Sequence, residues 1–241
     1  MSHPPILLFD FDGVVLTQKA LEFTALLYKN KKFYKWENTK NLRLIDFARL
    51  FEESDSDNRI KALKQANKAY TPYIPSKLRR LIFFIKFRTT YPKYEKYETM
   101  KPNLKEVLDH FRSVNVPMGV VSNTKDSRLA FFREKLNLDE YFSVYISRND
   151  SAYRKPHPYP IIKILTQIKR KYHFSVNKEN VYFIGDLPSD ILCAHNAGVN
   201  SIAILNGHGT ENSLKNVNPT FLLKDISDII EIKPFKKLLL N

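Results

Sequence analysis

Cysteine occurs once in 241 residues, as Cys193. A lone thiol closes no internal disulfide and has no partner for a thiolate zinc site, so a disulfide framework is excluded, a cytosolic location is expected and redox chemistry is not. Long apolar runs are missing as well. The longest, Leu81 to Ile85, falls far short of the ~20 residues that a bilayer helix needs, and the N-terminal apolar stretch meets Asp10 almost at once. Neither a transmembrane segment nor a signal peptide is expected. Glycine is scarce: Gly13, Gly119, Gly185, Gly198, Gly207 and Gly209 are all there are, and none lies between Thr17 and Thr99. Acidic charge also runs short, since 39 Lys and Arg face 25 Asp and Glu, a net +14 of which +10 falls within that glycine-free third. This excess favours an anionic partner: a phosphorylated metabolite, a nucleic acid or an acidic membrane surface. The apolar content of 43% and aromatic content of 13% are ample for a packed core and exclude disorder.

The change in glycine and charge divides the chain. Outside residues 17–99, short apolar runs alternate with helical patterns, as in βαβ units around a parallel sheet. Strands are expected at Ile6 to Phe9, Val116 to Val121, Val144 to Ser147, Val181 to Ile184 and Ser201 to Leu205, with a short edge at Phe221 to Leu223. Helices are expected at Asp126 to Leu136, Pro160 to Tyr172 and Asp190 to Ala197, the last closed by Gly198, and a further one is capped by Asn103 with Glu106. Inside residues 17–99, apolar residues recur at helical spacing in Leu21 to Tyr28, Leu42 to Phe51 and Ile60 to Tyr70. The expectation is an α/β core of residues 1–16 and 100–241, with an all-helical insert at 17–99 lying over the strand ends where open sheets bind ligands.

Chemistry concentrates at the ends of the expected strands. Asp10-Phe11-Asp12-Gly13 follows the first, and residues two apart in extended backbone point the same way, so both carboxylates face one site. Gly185-Asp186-Leu187-Pro188-Ser189-Asp190 follows another, with Asp186 at the strand tip and Asp190 opening a helix. Each segment also reads plainly, as a polar turn and as a helix cap. Together, however, such carboxylates repel one another unless a hard cation lies between them, and oxygen ligands suit Mg²⁺. Ser122-Asn123-Thr124 ends a third strand with hydroxyl and amide donors beside a helix N-terminus. Lys155, ahead of Pro156, has its backbone held extended, which aims the ammonium.

In order, residue type and strand placement, these segments resemble the four motifs of the haloacid dehalogenase superfamily, in its phosphoglycolate phosphatase-like branch with a helical cap. Gly207-His208-Gly209-Thr210 resembles a late loop of that branch. The resemblance implies a Rossmann-like core with an inserted all-helical cap, and a Mg²⁺-dependent phosphatase acting on a small phosphorylated metabolite. It makes Asp10 the nucleophile and Asp12 the general acid and base. Ser122, Asn123 and Lys155 hold the phosphate, while Asp10, Asp186, Asp190 and the backbone carbonyl of Asp12 surround the metal. A phosphomutase is the nearest alternative, and the dehalogenases lack an acid at the position of Asp12. A basic module binding nucleic acid or a membrane surface is a rival from another class, for which Lys77 to Arg88, with charged ends around an apolar centre, is the tempting segment. A buried helix whose charged ends reach water explains that segment more simply. The cations of the insert are scattered among buried-type aromatics such as Phe23, Phe47 and Phe51, so attraction of a small anionic substrate is expected and a nucleic-acid groove is not.

Overall fold

The computed structural model describes residues 5–38, 64–65 and 67–236. In chain order, its first elements are β1 (Ile6–Phe9), α1 (Lys19–Lys29), α2 (Lys77–Thr90), α3 (Leu104–Ser113), β2 (Met118–Val121), α4 (Asp126–Lys135) and β3 (Val144–Ile146). There follow α5 (Tyr159–Tyr172), β4 (Val181–Gly185), α6 (Pro188–Ala197), β5 (Asn200–Ile204), α7 (Glu211–Lys215), β6 (Phe221–Leu223) and α8 (Lys233–Lys236). The chain forms two compact units, one of Met1–Thr17 with Thr99–Asn241 and the other Gln18–Glu98.

The first unit is a six-stranded sheet, parallel throughout, in the order β3-β2-β1-β4-β5-β6. Alternation along β1 explains its two covered faces. Leu7 and Phe9 join Val120, Ile184 and Ile202 against Leu108 and Phe111 of α3 and Phe132 of α4. Ile6 and Leu8 join Val121 and Phe183 against Ile161, Ile164 and Ile168 of α5 and Ala194 of α6. Strands buried on both sides carry continuous apolar runs, which is why their sequences show no polar alternation. Central β1 lies between β2 and β4, so connections leave in opposite directions around it, and the carboxyl ends of these three strands bound the crevice where doubly wound sheets bind ligands.

In the first unit the strand and helix assignments agree with the expected ones to within two residues, and β6 is the expected short edge. The Asn103 cap is corrected. Its backbone is left-handed (φ 63°), its side chain makes no cap hydrogen bond, and the amide instead donates to Asp225 Oδ1 at 3.2 Å. Gly198 does close α6, in the left-handed conformation that a β-carbon resists (φ 72°).

In the second unit the described residues contain no strand. α1 and α2 share a small core in which Tyr28, Tyr34, Tyr70, Phe83 and Phe87 pack largely edge to face. Arg80 is buried at its edge, where the guanidinium donates to Asn67 Oδ1 at 2.8 Å and to the Ile74 and Pro75 carbonyls at 2.6 and 2.8 Å. Glu98, at the far end of the unit, caps α1 by accepting from the Lys19 and Ala20 amides at 3.0 and 2.8 Å. Leu78, Leu81 and Ile85 of α2 face outward, and Phe23 is 45% exposed, which corrects its expected burial. The aromatic content of α1 satisfies its core through Tyr28 instead. Leu42 to Phe51, with Phe47 and Phe51, and part of Ile60 to Tyr70 lie outside the described residues. Among the described residues, no helix is long and apolar enough to cross a membrane.

Phe111 is fully buried and packs edge to face on Phe235 at 5.2 Å. Phe111→Ala is expected to remove about 3–5 kcal/mol of stability. Urea unfolding checks this, and an unchanged midpoint would contradict the packing described.

Candidate active site

Each strand end delivers one part of the site. β1 ends at Asp10, whose amide donates to the Ile184 carbonyl of β4 at 2.8 Å, continuing the ladder one residue past the strand. β2 ends at Ser122, whose amide likewise donates to Ile146 of β3 at 2.8 Å. Asp186 follows β4, and Asp190 sits in the first turn of α6. Asp190 Oδ2 accepts from the Asp186 and Leu187 amides at 3.2 and 2.9 Å, so this residue is both a helix cap and a member of the site.

Three carboxylates meet here. Asp10, Asp186 and Asp190 are all buried, and each offers an oxygen within 4.8 Å of the others. The Lys155 ammonium enters among them, donating to Asp10 Oδ1 at 2.5 Å and standing 2.7 Å from Asp190 Oδ1 as an ion pair without hydrogen-bond angles. Asn123 helps hold Lys155, its Oδ1 accepting from the Lys155 amide at 3.2 Å. The Ser122 hydroxyl oxygen accepts from the Thr124 amide at 3.0 Å, which leaves its proton to be donated elsewhere.

One ammonium does not balance three buried carboxylates. Burial, then the Asp190 charge, raises Asp10 well above the carboxylate range against the pull of Lys155. Burial with the Asp186 charge likewise outweighs Lys155 at Asp190, which is also raised. Lys155 itself is lowered by burial but raised further by Asp10 and Asp190, so it stays protonated. At Asp186 burial acts upward, yet His208 and then Lys101 outweigh it and the net shift is downward. Asp186 Oδ2 takes the His208 amide at 2.6 Å and approaches His208 Nδ1 at 2.8 Å, while its Oδ1 is buried with no hydrogen-bond partner among the described residues. A buried, ionised oxygen without a partner, in an all-oxygen set short of positive charge, fits a hard divalent cation.

Close packing around Asp186 and Asp190 accounts for the placement of four of the six glycines. A β-carbon at Gly13, Gly207 or Gly209 would collide with Asp186, and one at Gly185 with Asp190. Gly13 also adopts φ 85°, a conformation that L side chains rarely take.

Asp12 stands apart from the trio. Its Oδ1 accepts from Arg128 at 2.6 Å, and the two side chains are 28% and 15% exposed. Arg128 of α4, His208 and Lys101 are parts of this region that the motifs do not name. Lys101 ties two loops together, donating to the Gly13 and Asn206 carbonyls at 2.7 and 2.6 Å. Only His208 left a signal in the sequence, its place between two glycines. Cys193 lies buried behind the site, where burial pushes its thiol up to about 12.

A family model described as Haloacid dehalogenase-like hydrolase matches residues 7–204. A phosphoglycolate phosphatase of Photorhabdus laumondii is 31% identical over 129 residues, 54% of this chain and 53% of that protein. The chain thus matches about half the length of that relative. Pyrophosphatase PpaX of Oceanobacillus iheyensis is 22% identical over 232 residues, 94% of this chain and 95% of its own. Among solved structures, a predicted phosphoglycolate phosphatase from Haemophilus somnus superposes with a TM-score of 0.67 at 18% identity, over 96% of this chain and 98% of the other.

Lys155→Met is expected to destabilise the protein by about 3–5 kcal/mol in metal-free buffer, because it strips Asp10 and Asp190 of the ammonium they share. Denaturant unfolding measures this, and a wild-type midpoint would show that the trio needs no counter-charge.

Proposed function

We propose that this chain, which belongs to the haloacid dehalogenase-like hydrolases, is a Mg²⁺-dependent phosphatase that hydrolyses a small phosphate monoester through a phosphoryl group carried on Asp10. The buried trio of Asp10, Asp186 and Asp190, with the Lys155 ammonium between Asp10 and Asp190, carries this reading. Asp10, Asp186 and Asp190 would hold the ion together with the Asp12 backbone carbonyl, and Mg²⁺ when bound would neutralise carboxylate and phosphoryl charge and polarise a phosphoryl oxygen.

The remaining chemistry belongs to the side chains. An Asp10 oxygen attacks phosphorus, the bond from phosphorus to the leaving oxygen breaks, and Asp12 gives that oxygen its proton. Water then attacks the phosphoryl group, its proton passes to Asp12, and inorganic phosphate leaves with the Asp10 carboxylate restored. Lys155 stays beside Asp10 throughout and offsets the negative charge gathered there, while Ser122 and Asn123 donate to phosphoryl oxygens. Phosphoglycolate and pyrophosphate, after which the relatives are named, each carry a second anionic group, and substrates of that kind are the first to screen. The basic insert, +10 over residues 17–99, serves in this reading to draw such anions in by long-range attraction.

Asp10→Asn is expected to abolish turnover, since an amide is a poor nucleophile and a weaker metal ligand, and Asp12→Asn to slow it about 10²–10⁴-fold. Steady-state assays with Mg²⁺ against a panel of phosphate esters check both. Activity that persists in EDTA, or in Asp10→Asn, would overturn the assignment.

A further inference from the structure

The environment of Asp12 points to a residue that no motif contains. Asp12 sits between Phe11 and Gly13 in the turn after β1, with a side chain that the core does not enclose. An aspartate in such a place samples several rotamers unless something holds it. Arg128 supplies the hold. It lies in the first turn of α4, and its guanidinium donates to Asp12 Oδ1 at 2.6 Å and to Thr124 Oγ1, one turn back, at 3.3 Å. It is itself fixed by two rings, lying 5.2 Å from the centroid of Phe132 and 5.9 Å from that of Phe11. Those rings pack edge to face at 6.2 Å, and both are fully buried. The donor is therefore anchored to the core.

We infer that Arg128 is a positioning residue that holds the Asp12 carboxylate in its working orientation. The inference rests on the phosphatase reading, because Asp12 matters to the chemistry only there. A proton-transfer group displaced by about an ångström loses much of its effect, up to roughly 10²-fold in rate. A partly exposed ion pair adds little to stability, so removing it should leave the fold intact. Lysine reaches the same place with a point charge but lacks the planar fork that lies against Phe11 and Phe132, so it should substitute only in part.

The test uses the intact protein with Mg²⁺ and p-nitrophenyl phosphate, whose leaving group needs no proton, so that kcat reports Asp12 as the base for hydrolysis of the phosphoryl-aspartate. Arg128→Met is expected to lower kcat by about 10- to 100-fold with KM falling in proportion, so that kcat/KM, which reports the first step, stays within about twofold, and Arg128→Lys is expected to recover part of the loss. Combined with Asp12→Asn, Arg128→Met should cost nothing further, because Arg128 acts through Asp12. A crystal structure of Arg128→Met should show the Asp12 carboxylate turned away from its wild-type orientation. Losses that multiply in the double variant, a raised KM at constant kcat, a wild-type kcat or an unmoved Asp12 would each overturn the inference. If the wild type shows no turnover that Asp10→Asn removes, the phosphatase reading fails and the inference falls with it. If such turnover exists while Arg128→Met matches the wild type, the inference alone fails.

Discussion

Three carboxylates buried beside one ammonium set the terms for the rest of the first unit. Aspartates at the ends of neighbouring parallel strands converge because β1 and β4 pair in register and Asp10 and Asp186 each directly follow the last residue of their strand. Bringing them out of water is costly unless charge is supplied, and Lys155 supplies only part. The surroundings are built to tolerate this. Amides of residues 186, 187 and 208 point at the carboxylates, glycine occupies the positions where a side chain would strike Asp186 or Asp190, and Lys101 ties the loops after β1 and β5 together. Asp186 Oδ1 is buried with no hydrogen-bond partner among the described residues, and a divalent cation fits there.

The same arrangement separates two tasks among the acids. Asp10, Asp186 and Asp190 are withdrawn from solvent, whereas Asp12 faces outward and pairs with Arg128. A nucleophile benefits from a fixed, dry setting next to a permanent cation, and a group that exchanges protons with a leaving oxygen and then with water needs access to both. The two aspartates lie only one residue apart in sequence, yet the turn at Gly13 gives them different surroundings.

Much of the first unit was legible in the sequence because its signals are local. Buried parallel strands are short apolar runs, and the polar residues ending them mark the site, so the sequence alone puts Asp10, Ser122 and Asp186 at strand ends and Asp190 at a helix start. Lys155 was legible as an aimed cation but not as one shared by two carboxylates. Arg128 and Lys101 were invisible, since one basic residue on a helix or in a loop among 39 carries no mark of its partner. Asn103 misled for a related reason. A cap depends on backbone conformation as well as residue type, and a left-handed φ with Asp225 nearby redirected the amide. In the insert the helical period was legible, but which aromatics turn inward was not: Tyr28 and Phe83 do, while Phe23 of the same helix as Tyr28 does not. Helical phase, set by the packing of α1 on α2 and on the turns at Tyr91–Lys93 and Glu95–Tyr97, decides between them.

The shortage of positive charge at the trio is the claim on which the functional account stands, and Mg²⁺-linked stability measures it without any substrate. Denaturant unfolding of the wild type should show a gain of about 2.7 kcal/mol once free Mg²⁺ reaches a hundred times its Kd, and Asp186→Asn should show none. No stabilisation of the wild type at millimolar Mg²⁺, or an equal gain in Asp186→Asn, would contradict the account.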